Sequence, residues 1–229
     1  MGRLARASAL QFGVNIFRTA VGAIVTLYFV NVIGAAGFGK YVLVLALVNW
    51  LRIPSIAIQG AVVKRISEGT DRGAVHFVGL LGQVVTSVVV AAGILLLRDA
   101  VNSYAGLAAA GWIVVIYLTL NVADHYAGVI QGEGRYEIVS LLDAGRSLLQ
   151  STVQLILVAT GGGVVALLTG ELASKVGALV VGIWVCKVAL KKPSGDTFRS
   201  LYSFARYSWL GSFKQVSYSW VDTLILGFV

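Results

Sequence analysis

Apolar residues run along this chain in blocks of about twenty or more, separated by short polar connectors, without the strict alternation of a half-buried strand. A helix needs about 20 mostly apolar residues to cross the hydrocarbon core of a bilayer. On that basis the pattern predicts spans at 9–32, 40–63, 76–97, 106–130, 139–160 and 163–186, with a seventh starting near Gly211 and reaching Val229. The connectors carry turn chemistry, from Gly34 to Gly39, Glu68 to Gly73, Arg98 to Gly106, Gln131 to Tyr136 and through Gly161-Gly162-Gly163. The longest runs from Lys187 to Trp209 with Lys191-Lys192-Pro193-Ser194-Gly195 as its breaker. Beyond it Phe198, Leu201, Tyr202, Phe204 and Ala205, interleaved with Arg199 and Arg206, read as an amphipathic helix on the membrane surface. The expected architecture is an all-α integral membrane protein: a six-helix lobe over 1–190, a cytoplasmic connector over 191–210, and the first helix of an incomplete second lobe over 211–229.

Polar residues inside the spans fall on helical faces, since positions three and four apart share a side. The first span carries Gln11, Asn15, Arg18, Gly22 and Thr26 on one stripe; the second carries Asn49, Arg52 and Gln59. The fourth has Tyr117, Asn121, Asp124, Gly128 and Gln131, the fifth Asp143, Arg146, Gln150 and Gln154. Glu171 and Lys175 in the sixth stand at i, i+4, the favourable order for an ion pair. Lys214, Tyr218 and Asp222 share a face in the seventh. The third span offers only Gln83, Thr86 and Ser87 and is expected to face lipid. Such stripes commonly serve helix packing, where polar groups hydrogen-bond and glycines allow close approach.

Arg18 and Arg52 demand more. An intramembrane guanidinium costs at least ~2.5 kcal/mol on insertion scales, and such residues face a protein interior or a water-filled cavity. No carboxylate stands three or four positions from either, so the counter-charge comes from another span, Asp124 being the candidate, or from an anionic substrate. Pro54 removes a backbone hydrogen bond and is expected to kink the second span just past Arg52.

Of the 229 residues 58% are hydrophobic and 12% charged, with a mean hydropathy of +0.86. Soluble domains carry roughly twice that charged share, which makes this a membrane protein. The net charge of +8 is explained by position. Arg3, Arg6, Lys64, Arg65, Arg72, Arg135, Lys187, Lys191, Lys192, Arg199 and Arg206 fall on one side of the alternating spans, Lys40 and Arg98 on the other. By the positive-inside rule the N-terminus is cytoplasmic, in a cell-membrane protein with several spans, and no nucleic-acid partner is needed. The apolar stretch behind Arg3 and Arg6 is too long for a signal-peptide core and reads as a retained span. One cysteine, Cys186, and two histidines, His76 and His125, leave no metal motif, and no nucleophile elbow, zincin signature or phosphate loop occurs. No catalytic residue, cofactor or metal is expected. Ala5-Arg6-x-Ser8-x-Leu10 recurs as Ala205-Arg206-x-Ser208-x-Leu210, a faint repeat of the kind found in two-lobed transporters.

Several segments resemble the polysaccharide flippase family, the Wzx-like branch of the MATE/MurJ superfamily. Phe12-Gly13-Val14-Asn15 followed by Val32-Ile33-Gly34-Ala35-Ala36-Gly37-Phe38-Gly39-Lys40-Tyr41 is similar to its first span and following connector. Ile58-Gln59-Gly60 with Lys64-Arg65, Gln131-Gly132-Glu133-Gly134-Arg135-Tyr136, and Trp220-Val221-Asp222-Thr223-Leu224-Ile225-Leu226-Gly227 match later segments in the same order. The stretch from Phe198 onward is similar in style to archaeal members. The resemblance implies export of a polyprenyl-(di)phosphate-linked oligosaccharide from the cytoplasmic to the outer leaflet by alternating access. The substrate's anionic head would sit in a cationic cavity and its tail in membrane lipid. Arg18, Arg52, Asn15, Asn49 and Gln59 are the expected substrate-binding residues, and Asp124 and Asp222 the candidates for ion coupling. Members have about twice this many spans, so the chain is expected to be a fragment whose partner is a missing C-terminal lobe or a second copy. The alternatives are a MATE-type multidrug or cation exporter, whose cavity would be dominated by carboxylates, and a noncatalytic membrane subunit of a glycan-assembly complex.

Overall fold

A computed structural model describes residues 22–69 and 71–226, so Asn15 and Arg18 lie outside the described residues. The described chain is a bundle of α-helices, as expected. α1 (Gly22–Ile33) ends at Gly34, whose φ of 84° lets the chain turn directly into α2 (Ala35–Leu51). α2 passes into α3 (Ile53–Ser67) at Arg52 with a bend of 53°. Pro54 stands at the second position of α3 and has no N–H for the carbonyl of Trp50, so the expected kink occurs where the helix loses that bond.

α4 (Arg72–Leu96) is capped by the Asp71 carboxylate, which accepts from the Ala74 N–H at 3.4 Å. The connector expected from Arg98 to Gly106 folds for most of its length into a short helix, α5 (Arg98–Ala105), which Gly106 ends in a left-handed turn. α6 (Ala109–Gly132), α7 (Tyr136–Ala159) and α8 (Gly163–Val185) follow with tight connections. The stretch read as a surface helix followed by a seventh span is one helix, α9 (Gly195–Leu226). Gly211 inside it costs only about 1 kcal/mol of helix propensity and does not break it. α4, α6 and α8 are each long and apolar enough to cross a membrane, and α2 with α3 make a fourth such span if the bent pair is counted as one.

Two apolar cores fill the bundle. One joins Val44 and Val48 of α2 to Ile113, Ile116 and Leu120 of α6 and Leu167 and Leu168 of α8. The other, toward the Lys64 end, joins Ala61, Val62 and Ile66 of α3 to Val75 and Val78 of α4, Val129 of α6 and Leu201 of α9. Between them, at the level of the α2–α3 bend, lies a layer of polar side chains.

α4 is two-sided, which corrects the expectation that it simply faces lipid. Val84, Val85, Val88 and Val89 are exposed, whereas Gln83 and Ser87 are buried against α3 and α6. α7 packs chiefly on α8 and only loosely on α6, and its buried residues, Gln154 and Val158, both belong to its second half. Residues 136–153 of α7 are half-buried or exposed, and from this stretch Arg146 and Gln150 reach α6 and α8.

Candidate functional site

The polar layer surrounds the backbone at the bend. The Tyr117 hydroxyl, fully buried on α6, donates to the Leu51 carbonyl at 3.1 Å and lies 3.3 Å from the Ser55 hydroxyl. The Gln83 amide of α4 donates to the Ser55 carbonyl at 2.9 Å. Asn121 reaches the Ser87 hydroxyl at 3.2 Å. A buried polar group without a partner costs of order 1–3 kcal/mol, so these bonds let a polar layer persist in an apolar setting. Tyr117 and Asn121 belong to the stripe read from the sequence, but Gln83 and Ser55 had no signal beyond being polar in an apolar run.

Arg52 occupies the corner of the bend. Its guanidinium pairs with the carboxylate of Asp124 on α6 and donates to the Asn49 side-chain oxygen at 3.4 Å. Asn49 in turn donates to the Leu45 carbonyl at 2.8 Å. Gln59 donates to the backbone carbonyl of Asp124 at 2.8 Å, its stem lying against Gly128. Thus Asn49, Arg52, Gln59 and Asp124 converge on one place. Asp222, by contrast, is exposed on α9, outside this group.

Asp124 has a second cationic neighbour, Arg146 of α7, at 3.6 Å, and Arg146 stands 3.3 Å from Asp143. The result is a ladder of alternating charge, Arg52, Asp124, Arg146, Asp143, whose formal sum is zero. Its members differ in exposure: the side chains of Arg52 and Asp124 are 15% and 19% exposed, those of Arg146 and Asp143 28% and 54%. Arg146 also differs from Arg52 in bonding. Its contacts with Asp124 and Asp143 are ion pairs at 3.6 and 3.3 Å, whereas Arg52 also donates hydrogen bonds to Asn49 and Asp124.

A separate network surrounds Glu171 on α8. Lys175 lies 2.7 Å from it, the Gln150 amide donates to it at 2.6 Å and the Tyr41 hydroxyl at 3.1 Å, while Gln154 donates to the Tyr41 oxygen at 3.1 Å. Both charged side chains are only 8% exposed. The i, i+4 pair is formed as expected, and it ties α2, α7 and α8 together.

Two openings meet at Arg146. A small polar recess is lined by Asp124, Ala127, Asp143 and Arg146. An apolar groove of about 460 Å³ lies between α7 and α8, with Ile138, Leu141, Leu149, Val181 and Val185 on its walls and Arg146 on its border. Leu142, Arg146 and Ala178 line both.

The family described as polysaccharide biosynthesis protein matches residues 4–229. A Haloferax volcanii protein named "Probable flippase AglR" is 39% identical over 234 residues, an alignment covering 100% of this chain and 48% of that protein. A second protein of that organism, named "Probable low-salt glycan biosynthesis flippase Agl15", is 29% identical over 225 residues, covering 98% of this chain and 48% of its own length. The chain therefore spans about half the length of the curated relatives it matches. No solved structure matches it.

Proposed function

The chain belongs to the polysaccharide biosynthesis protein family, and on that premise we propose that it is one lobe of a carrier that flips a polyprenyl-(di)phosphate-linked oligosaccharide to the outer leaflet by alternating access. Residues 1–190 form that lobe, 191–210 lead out of it, and 211–229 begin the second; the other half is a C-terminal lobe or a second copy. The N-terminus and the Lys64 end face the cytoplasm, where the excess of lysine and arginine lies. The chain acts as a carrier and not as an enzyme.

The observation that carries this reading is an intramembrane arginine at a helix bend, held by a carboxylate from another helix. Arginine suits a phosphate because its planar fork binds two oxygens and stays charged. Arg18 and Arg52 take the anionic head, with Asn15, Asn49 and Gln59 orienting it. Asp124 is the natural competitor for Arg52. A proton or other cation on Asp124 releases Arg52 to the phosphate, and loss of that cation restores the ion pair and expels the head group. This exchange is a route by which an ion gradient drives the cycle. Asp222 is the second candidate for coupling.

The test is restoration of surface glycan in a host lacking its own flippase. The chain is expressed alone and fused to the C-terminal half of a relative, as wild type, Arg18→Ala, Arg52→Ala and Asp124→Asn, with membrane levels measured. The expected result is export by the two-lobed form and its loss in each variant at normal membrane level. Full export by the Arg18→Ala and Arg52→Ala variants would overturn the anion site.

A further inference from the structure

We propose that the stacked pair His76–His125 is a proton-sensitive latch on connector 186–194, the link between α8 and α9. Uptake of a proton by His76 frees the Val188 end of that link. The latch lies outside the residues assigned to substrate and stands or falls separately from the flippase reading.

Three elements build it. The imidazoles of His76 on α4 and His125 on α6 lie with centroids 5.1 Å apart and planes 29° from parallel. His125 is fully buried and His76 is 3% exposed. Gly79 permits the close approach, since a Cβ there would collide with Val62 of α3 and with the His125 ring. The connector has no helix of its own. Val188 is half-buried between the exposed Lys187 and Ala189, and its carbonyl stands 2.8 Å from Nδ1 of His76. A carbonyl only accepts, so Nδ1 carries the hydrogen and Nε2 of the neutral ring is a bare lone pair.

That lone pair is buried without a hydrogen-bond partner, and so are both ring nitrogens of His125. The surroundings supply no counter-charge. Tyr126 meets the two rings edge-on at 5.4 and 5.7 Å, the connector brings the Cys186 thiol, and α3 presents Val62. The carboxylates of the neighbouring elements are taken: Asp124 by Arg52, Glu133 by Arg135, Asp71 by Lys191, and Glu68 by Lys64 and Arg65. Among the described residues no third histidine, cysteine or carboxylate completes a metal site with the pair, so the ligand is a proton.

A proton on Nε2 of the closed pair makes a cation with an unbonded N–H in an apolar site, an arrangement that burial penalises heavily. Once the connector lifts, water reaches His76, and an imidazole in water takes the proton near pH 6.5. The opened state therefore binds one proton more than the closed one, and opening increases as pH falls. The far end of the connector is pegged separately, by the Lys191 ammonium on Asp71 and the Lys191 amide on the Gly73 carbonyl. Release is thus confined to the Val188 end.

Cys186 is the one cysteine of the chain, and its Sγ lies 4.0 Å from the Val188 carbonyl, so it reports on the latch. The test labels the full chain in nanodiscs with a maleimide carrying a bulky polymer, which reaches this half-buried thiol only when the connector lifts. Each rate is divided by that of the unfolded chain at the same pH. For one proton taken up, the ratio should rise about tenfold from pH 7.5 to pH 5.5. The Lys191 amide should stay protected from hydrogen exchange over that range, which separates release of the latch from general unfolding. His76→Asn keeps a donor for Val188 and should flatten the profile to within about twofold. His125→Phe keeps a ring beside His76 and should retain the slope. A flat wild-type profile would make the pair a structural contact and overturn the latch. So would a slope that survives His76→Asn, or one that His125→Phe removes. None of these results touches the flippase reading, which falls only if Arg18→Ala and Arg52→Ala leave export intact.

Discussion

Replacing Asp124 by asparagine keeps the shape of the side chain and removes the one anion between two guanidiniums. The loss falls mainly on Arg52, because Arg146 retains Asp143 while Arg52 has no other carboxylate among the described residues. At 3.6 Å, the separation of Arg146 from Asp124, opposite charges attract by about 4–5 kcal/mol at an effective dielectric of 20. Orphaning a buried charge by removing its partner costs roughly 3–5 kcal/mol. The side chains here keep 15–28% of their surface open, and asparagine still offers a carbonyl to Arg52, so the low end, about 3 kcal/mol, is expected. Arg52→Gln should cost less, since Asp124 keeps Arg146. In the double variant both charges are gone, and the cycle should show a coupling of at least about 1 kcal/mol. The measurement is unfolding of the purified chain in mixed micelles titrated with dodecyl sulfate, with retention on gel filtration after heating as a check. If the two single effects add within about 0.5 kcal/mol, Arg52 and Asp124 do not interact and the ladder is wrong.

The Glu171 network gives a related outcome with a different remedy. Glu171→Ala strands Lys175, at 8% exposure, and should destabilise by about 3–5 kcal/mol, whereas Glu171→Leu with Lys175→Met should recover only the part due to the stranded charge, since Gln150 and Tyr41 still lose their acceptor. At the Lys64 end the connector 186–194 is held to α4 by Asp71, which accepts from the Lys191 ammonium at 2.8 Å, and by the Lys191 amide bonded to the Gly73 carbonyl at 3.2 Å. The Lys191 hydrogen bond, foremost, holds the Asp71 carboxyl below its ordinary 3.8. A depressed carboxylate adds stability above its unfolded pKa and loses it as pH falls through the folded one. Hydrogen exchange at the Lys191 amide, corrected for intrinsic rate, should therefore accelerate only below pH 3.8, and Asp71→Asn should show the faster exchange already at neutral pH. A pH-independent protection factor in the wild type would remove Asp71 from this role.

What the sequence determined by itself is what local periodicity and local chemistry control. Blocks of about twenty apolar residues specify membrane helices because the bilayer leaves the backbone no other partner. Pro54 beside Arg52 specified the bend, since the missing N–H acts on its own turn. Glu171 and Lys175 specified their own pair, being one turn apart. The tertiary structure decided who answers whom across the bundle. Arg52 meets Asp124 from 72 positions away, and Tyr41 meets Glu171 from 130. Helical spacing reports only which residues share a face and carries nothing about which face of which helix lies opposite. The same limit hid Gln83 as a donor to the bend, the two-sided packing of α4, and the groove between α7 and α8 that Arg146 lines. Each depends on the packing of one helix against another, a long-range quantity set by side-chain volume and the geometry of the whole bundle.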